Sequence, residues 1–189
     1  MILHIKNMVC NRCIKVVREE LESLGISIKS ISLGEVESDM NLTETKLNEI
    51  KLILKNNGFE LIEDKRAKII ERLKNYVITL IHHSEENTET NINYSELIRR
   101  EMNLDYHYLS GLFSSMEGIT IEHFIILQKI ERAKELLKYD ELTLSQIAYN
   151  LGYSSVAHLS SQFKKVTGMT ASEFKTIAGN ARIPIDKIK

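Results

Sequence analysis

Leu109-Ser110-Gly111-Leu112-Phe113, followed by Gly118-Ile119-Thr120 and Phe124, returns later in the chain as Leu159-Ser160-Ser161-Gln162-Phe163, followed by Gly168-Met169-Thr170 and Phe174. Six residues (Leu, Ser, Phe, Gly, Thr and Phe) recur at a constant offset, which marks a duplicated supersecondary unit. Each copy reads as helix, turn, helix. In the second copy Leu144 and Ile147 face inward on a short helix beginning near Ser145, and Ala148 is small where another helix must cross closely. Gly152 can take the positive φ that a tight turn demands. Ser155 then opens a helix that turns Leu159 and Phe163 toward the core. The other face of that helix carries Val156, Ala157, His158, Ser160, Ser161, Gln162, Lys164 and Lys165. Thr170-Ala171-Ser172-Glu173 has the pattern of a capping box and starts a final helix.

Several of these segments fall in register with a known pattern: Leu144-Ser145-Gln146-Ile147-Ala148, Gly152-Tyr153-Ser154-Ser155, Leu159 to Phe163-Lys164-Lys165, and Gly168-Met169-Thr170 before Phe174-Lys175. Through them residues 90–177 resemble the DNA-binding domain of the AraC/XylS family, and Gln128 to Leu137 matches the helix that joins that family's two helix-turn-helix units. The resemblance implies seven helices, with two recognition helices in neighbouring major grooves roughly 34 Å apart. By position the reading helices are Asp105–Glu117 and Ser155–Thr167. The candidate DNA-binding residues are His107, Ser110 and Ser114 in the first, and Ser155, Val156, Ala157, Ser160 and Ser161 in the second. Gln162, Lys164 and Lys165 are placed near phosphate or core.

The sequence also departs from the family's pattern. Gly111 and Ser161 stand where arginine is frequent, and arginine makes the commonest specific contact, bidentate to guanine. Ser114 and Ser115 replace the basic pair seen as Lys164-Lys165, Arg99 stands where a small residue is usual, and Ala171 replaces a proline. The second unit is therefore expected to read DNA more strongly than the first.

Composition alone does not suggest DNA. Net charge is −1 over 189 residues, −2 over residues 1–90 and +1 over residues 91–189. That is weak for a DNA binder, because phosphate neutralisation and counterion release drive non-specific affinity. A single proline, eight glycines and no tryptophan favour a helix-rich chain with an aliphatic core. No stretch is apolar enough to span a bilayer, and the N-terminus lacks a basic segment followed by an apolar core. A soluble, cytoplasmic protein with no membrane partner is expected.

Residues 1–64 follow another pattern. Leu3 and Ile5 alternate with polar neighbours as a strand, and Ile14, Val17, Leu21 and Leu24 lie at helical spacing before Gly25. Ile31 and Leu33, then Val36 beyond Gly34, read as a hairpin. Asn41 with Glu44 reads as a helix start, Leu47, Ile50 and Leu54 as its buried face, and Phe59 and Leu61 as a last strand. The order β-α-β-β-α-β is the ferredoxin-like split βαβ arrangement. The fold class is thus α+β: a ferredoxin-like domain over 1–64, a linker helix and loop over 65–89, an all-α double helix-turn-helix domain over 90–177, and a tail over 178–189. Ile69, Ile70, Leu73, Val77, Leu80 and Ile81 form one apolar stripe on the helix from Arg66 to His83, which serves either packing against a neighbouring domain or formation of a homodimer.

Met8-Val9-Cys10-Asn11-Arg12-Cys13 lies between the first strand and first helix. In a β-α-β-β-α-β unit it resembles the heavy-metal-associated domain, although Val9 and Asn7 depart from the Thr and Gly more usual there. Two thiolates at a helix N-terminus suit a soft ion such as Cu(I), or Zn(II) with added ligands from His4, His82 or His83. The helix dipole is expected to lower the thiol pKa values. A redox pair, or a scaffold domain with spare cysteines, are the alternatives, and Met8 reads as a core residue. No catalytic constellation is present, so an enzyme is not expected. The reading is a DNA-binding transcription regulator that responds to a thiophilic ion or redox state through Cys10 and Cys13, with double-stranded DNA and the transcription machinery as partners. The alternative is a metal carrier that uses the helical half as a docking module.

Overall fold

The computed structural model describes residues 1–83 and 93–177. The tail over 178–189, and the polar run Ser84–Asn93 apart from Asn93 itself, lie outside the described residues. The chain divides into two units, Met1–Tyr76 and Val77–Lys189.

The first unit runs β1 (Ile2–Lys6), α1 (Asn11–Ser23), β2 (Ile28–Ser32), β3 (Glu35–Ser38), α2 (Glu44–Asn56), β4 (Glu60–Ile62) and most of α3 (Lys65–Ile78). The four strands make one antiparallel sheet in the order β2-β3-β1-β4, with Leu3 opposite Val36 and Ile5 opposite Leu61. Period-two alternation sends Leu3, Ile5 and Val36 to one face, where they pack with Val17 and Leu21 of α1 and Ile50 and Leu54 of α2. Met8 is fully enclosed in the same cluster, as its sequence position suggested. Gly34 turns the β2–β3 hairpin at φ +83°, and a Cβ there would collide with the Asn75 side chain of α3. Asn7 also has positive φ, and its backbone N–H donates to Glu71 Oε1 of α3 at 3.0 Å. Helix α3 is thereby tied to the turn after β1 and to the hairpin.

The start of α2 differs from the sequence reading. Thr43, not Asn41, is the N-cap, and its Oγ1 accepts from the Lys46 N–H at 3.3 Å. The flanking apolar residues explain the shift: Leu42 and Leu47, one before the cap and four after it, both pack on the core and fix the chain's entry angle. The α3 stripe is largely enclosed within the single chain. Ile70, Leu73, Val77 and Ile81 are buried, and Ile69 and Leu80 are half-buried.

The second unit opens with a π-helical turn, Thr79–His83, continuous with α3. It continues with α4 (Tyr94–Met102), α5 (Tyr106–Glu117), α6 (Ile121–Tyr139), α7 (Leu144–Asn150), α8 (Val156–Thr167) and α9 (Ala171–Ile177). Residues 94–177 thus contain six α-helices where seven were expected, and the Thr79–His83 turn packs against α6 as a further helical wall. Helix α6 also contacts α5, α7, α8 and α9. The duplication is visible in the packing: Phe113 meets Phe124 at 5.5 Å between ring centroids, and Phe163 meets Phe174 at 5.6 Å. All four rings are buried.

His82 is buried, and its Nε2–H donates to Gln128 Oε1 at 2.9 Å. Its Nδ1 and the Gln128 Nε2 find no partner among the described residues. Burial pulls the His82 pKa down to about 4, only partly opposed by the Gln128 hydrogen bond. The folded state therefore holds a neutral imidazole, while the unfolded chain takes up a proton below the ordinary value near 6.5. The stability this gives is complete above pH 6.5 and is lost as pH falls toward 4. Urea unfolding at pH 7 and pH 4.5 is expected to show a fall of about 2–3 kcal/mol in the native chain beyond that in His82→Gln, which cannot titrate.

Candidate nucleic-acid interface

The two helix pairs, α4–α5 and α7–α8, are built alike at the points where a helix must start and stop. Helix α5 is capped by Asp105, whose side chain accepts from the Tyr108 N–H, and α8 by Ser155, which accepts from the His158 N–H at 3.1 Å. Each cap satisfies a backbone donor that the helix itself leaves unpaired. Helix α7 begins with a capping box in which Thr143 and Gln146 bond each other's backbone, and Thr170 with Glu173 do the same before α9. Gly118 and Gly168 end α5 and α8 at φ +74° and +79°. The recurring Gly and Thr of the repeat are therefore stop and start signals, and its Leu and Phe are core anchors.

The turns between paired helices differ. Three residues separate α4 from α5, with Asn103 at φ +50°, whereas five separate α7 from α8, with Gly152 at φ +65°. In the longer turn Gly152 N–H donates to Tyr149 O and Tyr153 N–H to Ala148 O, each at 2.9 Å. Ala148 is buried as expected. Arg99 does not occupy a crossing point. It lies on the exposed face of α4 in a bidentate pair with Glu96, at 2.8 and 3.0 Å, and the enclosed residue beside it is Ile98. A guanidinium with a carboxylate in reach is cheaper to leave in water than to bury.

On α5, His107 and Gly111 are exposed, and Ser110 and Ser114 are half-buried along the same face. On α8 the matching stripe is Ala157, Ser160, Ser161 and Lys164, with Ala157, Ser161 and Lys164 exposed and Ser160 half-buried. Val156 is half-buried and Lys165 exposed. Ser155 is exposed but its hydroxyl is engaged as the cap. Gln162 is turned inward, its Oε1 accepting from the Tyr153 hydroxyl at 2.5 Å. His158, which the sequence places on the outer face of its helix but not among the DNA-binding candidates, is exposed, and so is Tyr108, which only its helical register could have marked. Helix α8 carries two lysines in its last turn and α5 carries none, so the second helix has the stronger field for phosphate.

The thiols form a separate site. Cys10 is the N-cap of α1, and its Sγ lies 3.4 Å from that of Cys13. Both are free and half-buried. Burial raises the Cys13 thiol above its ordinary pKa, against the lowering expected from the helix N-terminus. Desolvation outweighs the dipole here because the side chain packs on the α1 core face. The two sulfurs are close enough to share one ion, and as soft donors they suit a thiophilic one. A tetrahedral zinc site needs two more donors, and among the described residues no group of three or more His, Cys, Asp or Glu is gathered. His4 pairs with Glu35 at 3.5 Å, His82 with Gln128, and His83 is exposed.

Residues 98–177 match the family model of the helix-turn-helix domain. This part of the chain is similar to that domain, and the chain as a whole is mixed α+β. The chain is 25% identical over 150 residues to a Photobacterium leiognathi protein named as the probable transcriptional regulator LumQ, covering 79% of this chain and 58% of that one. It is 24% identical over 160 residues to the uncharacterized HTH-type transcriptional regulator YtdP of Bacillus subtilis (strain 168), covering 84% of this chain and 21% of that one. The chain thus spans only part of the length of these relatives. In fold it resembles the C-terminal domain of AraT, a response regulator from Geobacillus stearothermophilus, with a TM-score of 0.51 and 24% identity over 60% of this chain and 88% of that one.

The capping geometry at the head of α8 has a measurable consequence. Ser155→Ala is expected to lower the unfolding free energy by about 1 kcal/mol in urea titration, because the His158 N–H loses its acceptor.

Proposed function

We propose that the protein is a sequence-specific DNA-binding transcription regulator of the AraC type, reading double-stranded DNA with α5 and α8. One observation carries this reading: two like-built helix pairs present capped helices with small polar side chains outward, and both are packed on the single helix α6. Ser, Ala and Val read thymine methyls and polar base edges with little energy each, while Lys164 and Lys165 supply phosphate contacts. The helix-turn-helix match and the regulator relatives support it. Selection from a random duplex pool at one fixed salt concentration is expected to enrich a motif with a stronger box for α8 than for α5. Absence of any enrichment overturns the reading and leaves the carrier alternative.

The first unit is read as a ferredoxin-like sensor domain, supported by its strand order and antiparallel pairing. Cys10 and Cys13 take a thiophilic ion, Cu(I) being better suited than Zn(II) to a site of two soft thiolate donors, since zinc needs four ligands. The loop that carries them is held to α3 by the Asn7–Glu71 hydrogen bond, and α3 continues into the Thr79–His83 turn that packs on α6. Ion binding and DNA binding are then reciprocally linked. Copper(I) is expected to shift operator affinity about fivefold or more in the native chain and not in the Cys10→Ser, Cys13→Ser variant. An equal response of the two proteins removes the sensing role and leaves the regulator.

A further inference from the structure

Lys129 sits midway along α6, and its Nζ lies 4.8 Å from the ring centroid of Tyr94 and 5.1 Å from that of Tyr153. Tyr94 is the first residue of α4, in the first helix pair. Tyr153 belongs to the turn between α7 and α8, in the second. One ammonium group is therefore shared by ring faces from both pairs. Among the described residues it has no carboxylate partner, so the two π faces are what it has in place of water.

The contact extends directly to α8. The Tyr153 hydroxyl donates to Gln162 Oε1, and the Tyr153 ring meets the His158 ring edge-on at 5.3 Å and 89°. Gln162 and His158 both belong to α8, so a displacement of Tyr153 displaces the helix proposed to read DNA. The arrangement lies outside the internal repeat. In the register that pairs Leu109 with Leu159, Tyr153 corresponds to Asn103, which has no ring. A single clamp therefore serves both pairs, where duplication by itself would have given two or none.

Resting on the DNA-binding reading above, we propose that Lys129 is a positioning residue: held between Tyr94 and Tyr153, it sets the orientation of one helix-turn-helix pair against the other and thereby the spacing between the two DNA boxes the protein accepts. Burial accords with this geometry. It lowers the Lys129 pKa to about 8 and raises that of Tyr94 to about 12, as expected for a cation and a phenol withdrawn from water together. Proximity to Tyr94 also adds to the upward shift of Tyr153. A cation–π contact strengthens when it is desolvated.

Two measurements on the full chain test this. The first needs no DNA: spin labels on Arg100→Cys of α4 and Ser145→Cys of α7, in a Cys10→Ser, Cys13→Ser background, report the distance between the two pairs. A single narrow distribution is expected with Lys129, broadening with Lys129→Met and narrowing again with Lys129→Arg, which keeps a cation on the rings. Tyr94→Leu keeps apolar volume, lies outside the reading helices, and is expected to broaden the distribution as Lys129→Met does.

The second measurement compares duplexes carrying one selected box, two boxes at the selected spacing, and two boxes moved by one or two base pairs. Lys129→Met is expected to lose roughly threefold to tenfold of the preference for the selected spacing while one-box affinity stays level. If Lys129→Met and Tyr94→Leu both keep the narrow distribution and the spacing preference, the proposal is overturned. It is also overturned if Lys129→Met weakens one-box and two-box binding equally, because that is loss of stability and not of positioning. If no box can be selected at all, the regulator reading falls, and the label distances alone then decide whether the clamp exists.

Discussion

The helical unit depends on α6 being covered on most of its circumference. A surface helix buries one stripe, but α6 buries Ile121, Phe124, Ile125, Gln128, Ile130, Glu131, Ala133, Lys134 and Leu137, which no single stripe contains. Helices from both pairs and the Thr79–His83 turn share that surface. Neither pair is large enough to enclose a core alone, and joining them on one rod solves the burial of both. The same rod sets where α5 and α8 lie relative to each other. The energetics of packing and the relative placement of the two helix pairs thus have one origin.

Burial this complete forces polar groups inside, and they are handled in different ways. Glu131 and Lys134 neutralise each other at 3.0 Å with little exposed surface. Lys129 rests on two aromatic faces. His82 gives up its charge and keeps one hydrogen bond. Each arrangement costs desolvation, and what is returned is orientation more than stability. In the first unit the corresponding device is the hold of α3 on the loops: Glu71 receives the Asn7 N–H beside the cysteine turn, and Asn75 fills the space over Gly34.

Much of this was legible from the amino-acid sequence. The order of strands and helices in residues 1–64, the duplicated pairs, the caps at Ser155 and Thr170, and the turn at Gly152 follow from signals within a few residues of one another. The helix-turn-helix reading followed from them. The misplaced start of α2 shows the limit of such signals. Asn41 and Thr43 are both acceptable caps, and the choice was made by Leu42 and Leu47 reaching the core. The thiols show it too: a helix N-terminus lowers a thiol pKa and burial raises it, and only the packing of Cys13 settles which is larger.

What the sequence determined by itself was therefore local: helix and strand periods, caps, turn glycines, and the repetition that names the class. What only the tertiary structure decided was which side chains become partners across long separations. In the sequence Lys129 is one position of the joining helix with nothing to single it out, and Arg99 stands where a small residue is usual. The fold put the first between two tyrosines and the second in water beside Glu96. The reason is physical: backbone periodicity is fixed by bonds between near neighbours, whereas the environment of a charge depends on every element that closes around it.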